Sequence, residues 1–464
     1  MGQPTTRLQI SGHRFLARRM EHALVRGDTR MLDDPLRGQS LSLCAGAVLA
    51  VIVVAVCAVL AFVRPGGALG DAPVVVVRET GATYVRIDGV LHPVANLASA
   101  RLIVGAPAEP AMVSKKAVDR AARGPQVGIL GAPEDISPPL RAEEAGWTVC
   151  DDDRGATTVI GGRLPDAVGV AGRSVLVTPR DGPAAVTYLL HGAWRSRVDL
   201  RHPAVVRALR LDGVVPREVS QVLLAAIPEA PAIAPPRIPG LGAPGPGRLN
   251  DHPVGTVVTV ARADRATDDL FVVLPDGLQR IGEVAADLIR YTDARAGAQI
   301  PAVPAEVVGS VPVVTSLPVA TFPPRGGVVD EPVVCAVWRQ DRGGTGSRTA
   351  LLVDTSLPRT AAALTLAQQD GGGPAVDAVA VPPGRSMFVR SVGLTGDGAS
   401  AGSLFLVTVS GVRHGVRDGS SAAALGLGEP AVPAPWPVLA ALPRGPELSR
   451  EAASAIRDGV AAAP

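Results

Sequence analysis

The run Leu41–Val63 reads LSLCAGAVLAVIVVAVCAVLAFV and carries no charge. As a helix rising 1.5 Å per residue it measures about 34 Å, enough to cross a hydrocarbon core of roughly 30 Å. Such a run is a membrane span, a buried core helix or a cleaved signal. A signal core is shorter, roughly 7–15 residues, and sits close to the start. Here forty residues precede the run, and no small-x-small cleavage site is clear near Arg64-Pro65-Gly66-Gly67. We therefore expect a retained span. No other stretch approaches a charge-free apolar run of about 18 residues, so one crossing is expected.

Arginines set the orientation. Arg26, Arg30 and Arg37 flank the run before it, Arg64 and Arg78 after it. The excess lies on the N-terminal side, which should be cytoplasmic, leaving the bulk of the chain outside. The whole chain balances 45 Lys+Arg against 43 Asp+Glu, which gives no push towards nucleic acid. Three Tyr and six Phe cannot furnish stacking platforms for it either.

The cysteines fit this placement. Cys44 and Cys57 fall in the span and read as small packing residues. Cys150 and Cys335 are the two outside it. In an oxidising compartment such a pair reads as one disulfide, with two buried free thiols as the other reading. Closing so long a loop is worth about 5 kcal/mol at most, because native strain subtracts. There is no CxxC, and no His lies close in sequence, so a metal site is not expected there.

Before the span, Phe15, Leu16, Met20, Ala23 and Leu24 recur at helical spacing, and Arg14, Arg18, His22 and Arg26 follow one another four apart. Ser11 is the expected N-cap and Gly27 the expected C′ residue. This basic amphipathic helix suits either the anionic inner leaflet or a protein partner. Asp33-Asp34-Pro35-Leu36-Arg37 is expected to break it.

After the span one pattern recurs: short strands, a turn with glycine, then one apolar helix. It appears near Gly89, Gly192, Gly277 and Gly411. The expected strands are Val74–Val77, Tyr84–Ile87, Val175–Val177, Tyr188–Leu190, Phe271–Leu274, Met387–Val389 and Leu404–Val409. The expected helices are Leu97–Val104 capped by Asn96, Asp199–Arg210, Ile281–Arg290 and Ser421–Leu427. The unequal spacing fits four small α+β units with insertions. A chance recurrence of a common motif is the alternative. Pro228–Pro253 holds eight prolines and reads as an extended linker. Ala302–Pro324 reads as strands edged by prolines. The tail after Gly428, with six prolines around Trp436, reads as an extended arm packed on its own or a partner's surface.

No catalytic constellation emerges. The only lysines, Lys115 and Lys116, do not follow glycine, so a P-loop is excluded. Gly240-Leu-Gly242-Ala-Pro-Gly245 matches GxGxxG but lies in the proline stretch, after no strand. HExxH does not occur. Asp151-Asp152-Asp153 reads as a solvated turn beside the disulfide rather than a calcium loop. His191 and Trp194 read as packing residues. No catalytic, cofactor-binding or metal residue is assigned.

Several motifs together resemble one family. They are Pro4-Thr-Thr-Arg-Leu-Gln-Ile-Ser-Gly-His13-Arg-Phe, then Arg18-Arg19-Met-Glu-His-Ala-Leu-Val-Arg26, and Asp33, Pro35, Leu36 and Arg37 directly before a single span. Tyr84-Val-Arg-Ile-Asp-Gly-Val-Leu-His92-Pro93-Val94, Trp147-Thr-Val-Cys150, Cys335 with Trp338, and Trp436-Pro-Val-Leu add to them. The chain resembles the EccB family of actinobacterial type VII (ESX) secretion systems along essentially its whole length. Leu130 stands where the family's GIPGAP segment has proline.

The resemblance implies an α+β protein: one N-terminal transmembrane helix, then an elongated periplasmic module of four small α+β repeat domains around a central β-rich domain that holds the Cys150–Cys335 disulfide. The expected division is 1–40 cytoplasmic segment, 41–63 span, 64–123 first repeat, 124–170 part of the central domain, 171–227 second repeat and 228–253 proline-rich linker. It continues with 254–300 third repeat, 301–384 rest of the central domain, 385–428 fourth repeat and 429–464 proline-rich C-terminal arm. The implied role is a structural subunit of the secretion core in the plasma (inner) membrane. Implied partners are EccC, EccD and EccE, the mycosin protease, and further copies of the chain. Arg14, Phe15, Arg18, Arg19, His22 and Arg26 would form the cytoplasmic docking helix. ATP hydrolysis is attributed to some members; a nucleotide hydrolase without a P-loop, and a stand-alone cell-wall binding protein, are the alternatives.

Overall fold

The computed structural model describes residues 6–27, 35–63, 69–164, 173–180, 186–262, 268–293, 299–341, 346–358, 362–396, 401–428 and 430–457. Its contacts divide the chain into two units. The first holds the N-terminal helices with the short segments Val77–Thr80 and Met112–Arg120; the second holds the rest.

In the first unit a helix spans Arg7–Arg26. It begins a turn earlier than Ser11 because Thr6 and Gln9 cap it, the Thr6 N–H donating to Gln9 Oε1 at 3.1 Å. Ser11 instead lies inside the helix and donates its hydroxyl to Leu8 O. Gly27 ends it in the left-handed conformation, its N–H on Ala23 O. The second helix runs Pro35–Val63. Pro35 opens this helix at its first position, where a missing N–H costs nothing; the helix thus begins before the expected span. Residues 28–34, with the Asp33-Asp34 breaker, lie outside the described residues. The stretch Leu41–Val59 has a mean hydropathy of 2.8, and none of it is buried by protein.

The second unit is built from small sheets. Four times the chain makes an antiparallel three-stranded meander and then a helix. The first meander is Val74–Val77, Thr83–Ile87 and Val90–Pro93, followed by helix Leu97–Val104. The second is Ser174–Pro179, Thr187–His191 and Trp194–Val198, followed by Pro203–Leu209. The third is Val257–Val260, Asp269–Leu274 and Gly277–Ile281, followed by Glu283–Thr292. The fourth is Met387–Val392, Leu404–Val407 and Arg413–Val416, followed by Gly419–Leu425. The turn glycines Gly89, Gly192, Gly277 and Gly411 all have positive φ, which explains why glycine recurs there. Asn96 caps the first helix by accepting the Ser99 N–H at 2.9 Å, and Gly105 closes it. The second helix is shorter than Asp199–Arg210, because Asp199 is spent on a turn with the Arg201 N–H and Pro203 sets the start.

The proline-rich stretches are less extended than their composition suggests. After each helix the chain returns with a second, shorter half. In the second meander this half is the strand Arg217–Val219, the helix Gln221–Ala225 and the strand Glu229–Ile233, the last inside the expected linker and parallel to Trp194–Val198. In the fourth, strand Val432–Pro435 lies parallel to Met387–Val392, helix Trp436–Ala441 follows, and Arg444 and Leu448 bridge Arg413 and Val416. The tail is therefore packed on this chain's own fold, as an integral part of it. In the third, Ala302 bridges Thr259 and Val313 bridges Leu278 around a short helix, Ala305–Val308. No regular strand forms over 302–324 among the described residues. Prolines explain this: Pro301, Pro312 and Pro324 accept from Thr259, Leu278 and Glu283 through their carbonyls, but have no N–H with which to continue a ladder.

A six-stranded sheet takes strands from both sides of the second and third meanders. Its order is Ser347–Asp354, Val333–Gln340, Trp147–Asp151, Thr157–Gly161, Ala378–Ala380, Leu364–Thr365. Its inner strands alternate fully buried apolar residues, Trp147, Val149, Val159 and Val334 among them.

Candidate functional site

Cys150 and Cys335 face each other in the register of the adjacent antiparallel strands and are joined as a disulfide. Both are wholly buried. The bridge therefore clamps the second and third strands of the sheet, one from each side of the intervening meanders.

Asp151, next to Cys150, is also wholly buried, unlike the solvated turn expected of the three aspartates. Its carboxylate accepts the Ser220 N–H, the Ser220 hydroxyl at 2.9 Å and the Thr157 hydroxyl at 3.0 Å. Ser220 in turn caps helix Gln221–Ala225. Burial pushes the Asp151 pKa up, and the Ser220 and Thr157 bonds oppose that rise. Asp152 and Asp153 behave as foreseen: Asp153 is exposed in the turn, and Asp152 holds that turn through the Arg154 and Ala156 N–H groups. Arg217 donates to the carbonyls of Glu331 and Pro332. This polar network fixes the second meander to the disulfide strands; nothing in it is arranged to attack a substrate.

Apolar clusters continue the same joints. One joins Trp147 and Val149 of the central sheet to Val175 and Leu223 on one side and to Val389 and Leu439 on the other. A second packs helix Leu97–Val104 with helix Gly419–Leu425, tying the first and fourth meanders. A third packs Val205 and Leu209 against Val284 and Leu288, tying the second and third. The last described strand, Ile456–Arg457, pairs with Gln126–Val127 beside the first meander.

At about 100° per residue the six residues of the expected docking helix lie within an arc of about 140°, on one side of helix Arg7–Arg26. Phe15 is 57% exposed, and Arg14, Arg18 and Arg19 are exposed, but His22 is only 5% exposed. His22 lies at an angle between those of the exposed Arg18 and Phe15, so its burial reflects its place along the helix and not a turn of the stripe. The Arg26 side chain lies outside the described residues. His191 is buried, with Nε2 3.1 Å from Ser196 Oγ, and burial lowers its pKa to about 4. The match to GxGxxG leads only to a three-residue 3-10 turn, Gly247–Leu249. Among the described residues no group of three or more His, Cys, Asp or Glu is placed to hold a metal ion.

Sequence reasoning missed one internal signal. The third strands of the first and fourth meanders carry His92 and His414, and each ring points its Nδ1 at a proline carbonyl, Pro125 O at 3.0 Å and Pro446 O at 3.3 Å. Each proline follows glycine in Arg123-Gly124-Pro125 and Arg444-Gly445-Pro446. A Cβ on Gly124 or Gly445 would strike the histidine ring, at 2.2 and 2.3 Å. The repeated Arg-Gly-Pro was the legible mark of the returning half.

Comparison with known proteins agrees with this architecture. The chain is 38% identical to the ESX-3 secretion system ATPase EccB3 of Mycolicibacterium smegmatis, covering 99% of this chain and 92% of that protein. It is 37% identical to its Mycobacterium tuberculosis counterpart, covering 96% and 88%. Among solved structures, a chain of an intact ESX-5 inner membrane complex superposes with a TM-score of 0.73 at 30% identity, covering 100% of this chain and 98% of that one. The EccB3 dimer from the ESX-3 core complex gives 0.72 at 36% identity, covering 82% and 100%. A family model described as "Type VII secretion system ESX-1, transport TM domain B" matches residues 2–462, and the chain belongs to that family.

Proposed function

We propose that the chain is a structural, single-pass subunit of a type VII secretion core in the inner membrane, with its outer part serving oligomerisation. The observation that carries this reading is the superposition along the whole chain onto a subunit of an ESX-5 inner membrane complex. The dimer formed by the ESX-3 relative favours a second copy of the chain as one partner. EccC-, EccD- and EccE-like subunits and a mycosin protease are the further partners of this reading. Helix Arg7–Arg26, with its exposed Arg14, Phe15, Arg18 and Arg19, is the element we assign to the cytoplasmic contact. Each returning half is assigned to its meander, so that four repeats flank the disulfide-braced sheet.

The relatives' names carry an ATPase activity, which makes hydrolysis the second reading. It lacks a P-loop lysine to work with. Gentle extraction from native membranes, native-gel sizing and mass spectrometry of the band decide between them. A large band holding the chain with EccC-, EccD- and EccE-like proteins supports the structural reading. A lone monomer or dimer that hydrolyses ATP, with secretion unaffected by deletion, refutes it.

A further inference from the structure

The four meanders share a register. The middle strand of each carries one ring, Tyr84, Tyr188, Phe271 or Phe405, opposite Pro93, Arg197, Arg280 and Gly415 in turn. The residue two places before that partner bridges the returning half: Leu91 with Arg123, Arg195 with Glu229, Leu278 with Val313, and Arg413 with Arg444. Of these four pairs only the last is two cations. In the second meander Glu229 neutralises its arginines, lying 3.2 Å from Arg195 Nη2 and 3.0 Å from Arg197 Nε. In the fourth, Arg444 stands where Glu229 would be. The one acid of the segment 443–449, Glu447, is turned to Arg417 at 3.2 Å.

Arg413 is nonetheless only 8% exposed. Its guanidinium carbon lies 5.2 Å from the Phe405 ring centre and 5.0 Å from that of Trp436, and its Nε is enclosed with no hydrogen-bond partner. Burial, and then the Arg444 charge, lower its pKa. The two rings favour a cation over their faces but supply no counter-charge. A guanidinium taken out of water without a carboxylate is held at a cost. Beside it Arg444 is exposed, and the Trp436 ring is 46% exposed. Tryptophan and arginine together are the side chains that dominate protein–protein binding energy.

We propose that this corner of the fourth meander takes an aspartate or glutamate side chain from a partner polypeptide. The incoming carboxylate fills the place that Glu229 fills in the second meander. Charge and that internal precedent select a carboxylate, and the exposed indole selects a polypeptide that packs on it. The assignment goes beyond the assembly reading, since it does not depend on which subunits surround the chain.

The test uses a zero-length cross-link. Arg444→Lys keeps the charge and places a primary amine at the site, in a chain whose only other lysines are Lys115 and Lys116. Carbodiimide treatment of native membranes joins such an amine to a carboxyl group paired with it. Peptide mass spectrometry should find an amide between position 444 and an Asp or Glu of another polypeptide. Arg413→Gln in that background should cut its yield by about tenfold, as should Trp436→Ala on the exposed ring. In the full-length chain in detergent, Arg444→Glu should melt about 2 °C above Arg444→Gln, because it gives Arg413 a carboxylate of its own. Four outcomes overturn the proposal: no amide at position 444, an amide to Glu447 of the same chain only, a yield unmoved by both Arg413→Gln and Trp436→Ala, or Arg444→Glu melting no higher than Arg444→Gln.

Discussion

Replacing His191 by glutamine should flatten part of the chain's acid sensitivity. His191 sits at the end of strand Thr187–His191, 4% exposed, and burial holds its pKa at about 4 rather than 6.5. A histidine with a depressed folded pKa is neutral in the fold but takes a proton in the unfolded chain. Its contribution is therefore fully present above about pH 6.5 and lost as pH falls towards 4. The linkage relation gives a loss of about 2 kcal/mol at pH 5 and about 3 kcal/mol at pH 4, relative to pH 7.5. Glutamine keeps a polar group within reach of Ser196 and does not titrate. Denaturant unfolding at pH 7.5 and pH 5, followed by tryptophan fluorescence, yields the difference between the native chain and His191→Gln at each pH. Other groups titrate in this window, His414 among them, with a pKa also lowered by burial, but they cancel in that double difference. The native chain should lose about 2 kcal/mol more than the variant. An unchanged difference between the two pH values would show that the unfolded chain gains no proton there that the fold refuses.

Further expectations are independent of that one. Gly445→Ala should cost about 1–3 kcal/mol in a melting experiment, because the new Cβ meets the His414 ring, 2% exposed and pinned to Pro446 O; Gly124→Ala should cost less, since the His92 ring is half-exposed and can swing away. Leu439→Ala should lower stability by about 2–5 kcal/mol by opening a cavity beside the central sheet, measured the same way. Arg385 and the Arg141 N–H hold the Glu144 carboxyl at about 2. Their contribution is present above the usual carboxylate range and disappears as pH falls through 2; Arg385→Gln should raise that pKa towards 4.5 in an NMR titration. Peptide mapping without reductant should recover Cys150 joined to Cys335 in chain exported to the oxidising side, and two free thiols there would contradict the clamp.

The sequence revealed local elements wherever one short-range rule dominated. Asn96 and Gly105 bracket their helix because a cap and a left-handed glycine are chemical necessities at helix ends. The turn glycines revealed the meanders for the same reason. Legibility failed where the partner was distant. Glu229–Ile233 is a strand only because Trp194–Val198 lies alongside, and its prolines argue locally for a linker. Asp151 reads as one of three solvated acids until Ser220 and Thr157 are brought over it.

The six-stranded sheet has a kinetic meaning as well. Its two disulfide strands are separated by the second and third repeats, whose helices pack on each other. An emerging chain presents Trp147–Asp151 long before Val333–Gln340 exists. The intervening repeat pair can collapse on its own contacts, while the sheet must wait for late, high-contact-order closure. Ile456–Arg457 then finishes beside Gln126–Val127, almost the first segment made outside the membrane. During export the early half thus carries an open strand edge and an unpaired thiol until Cys335 emerges, with the fourth repeat still to follow.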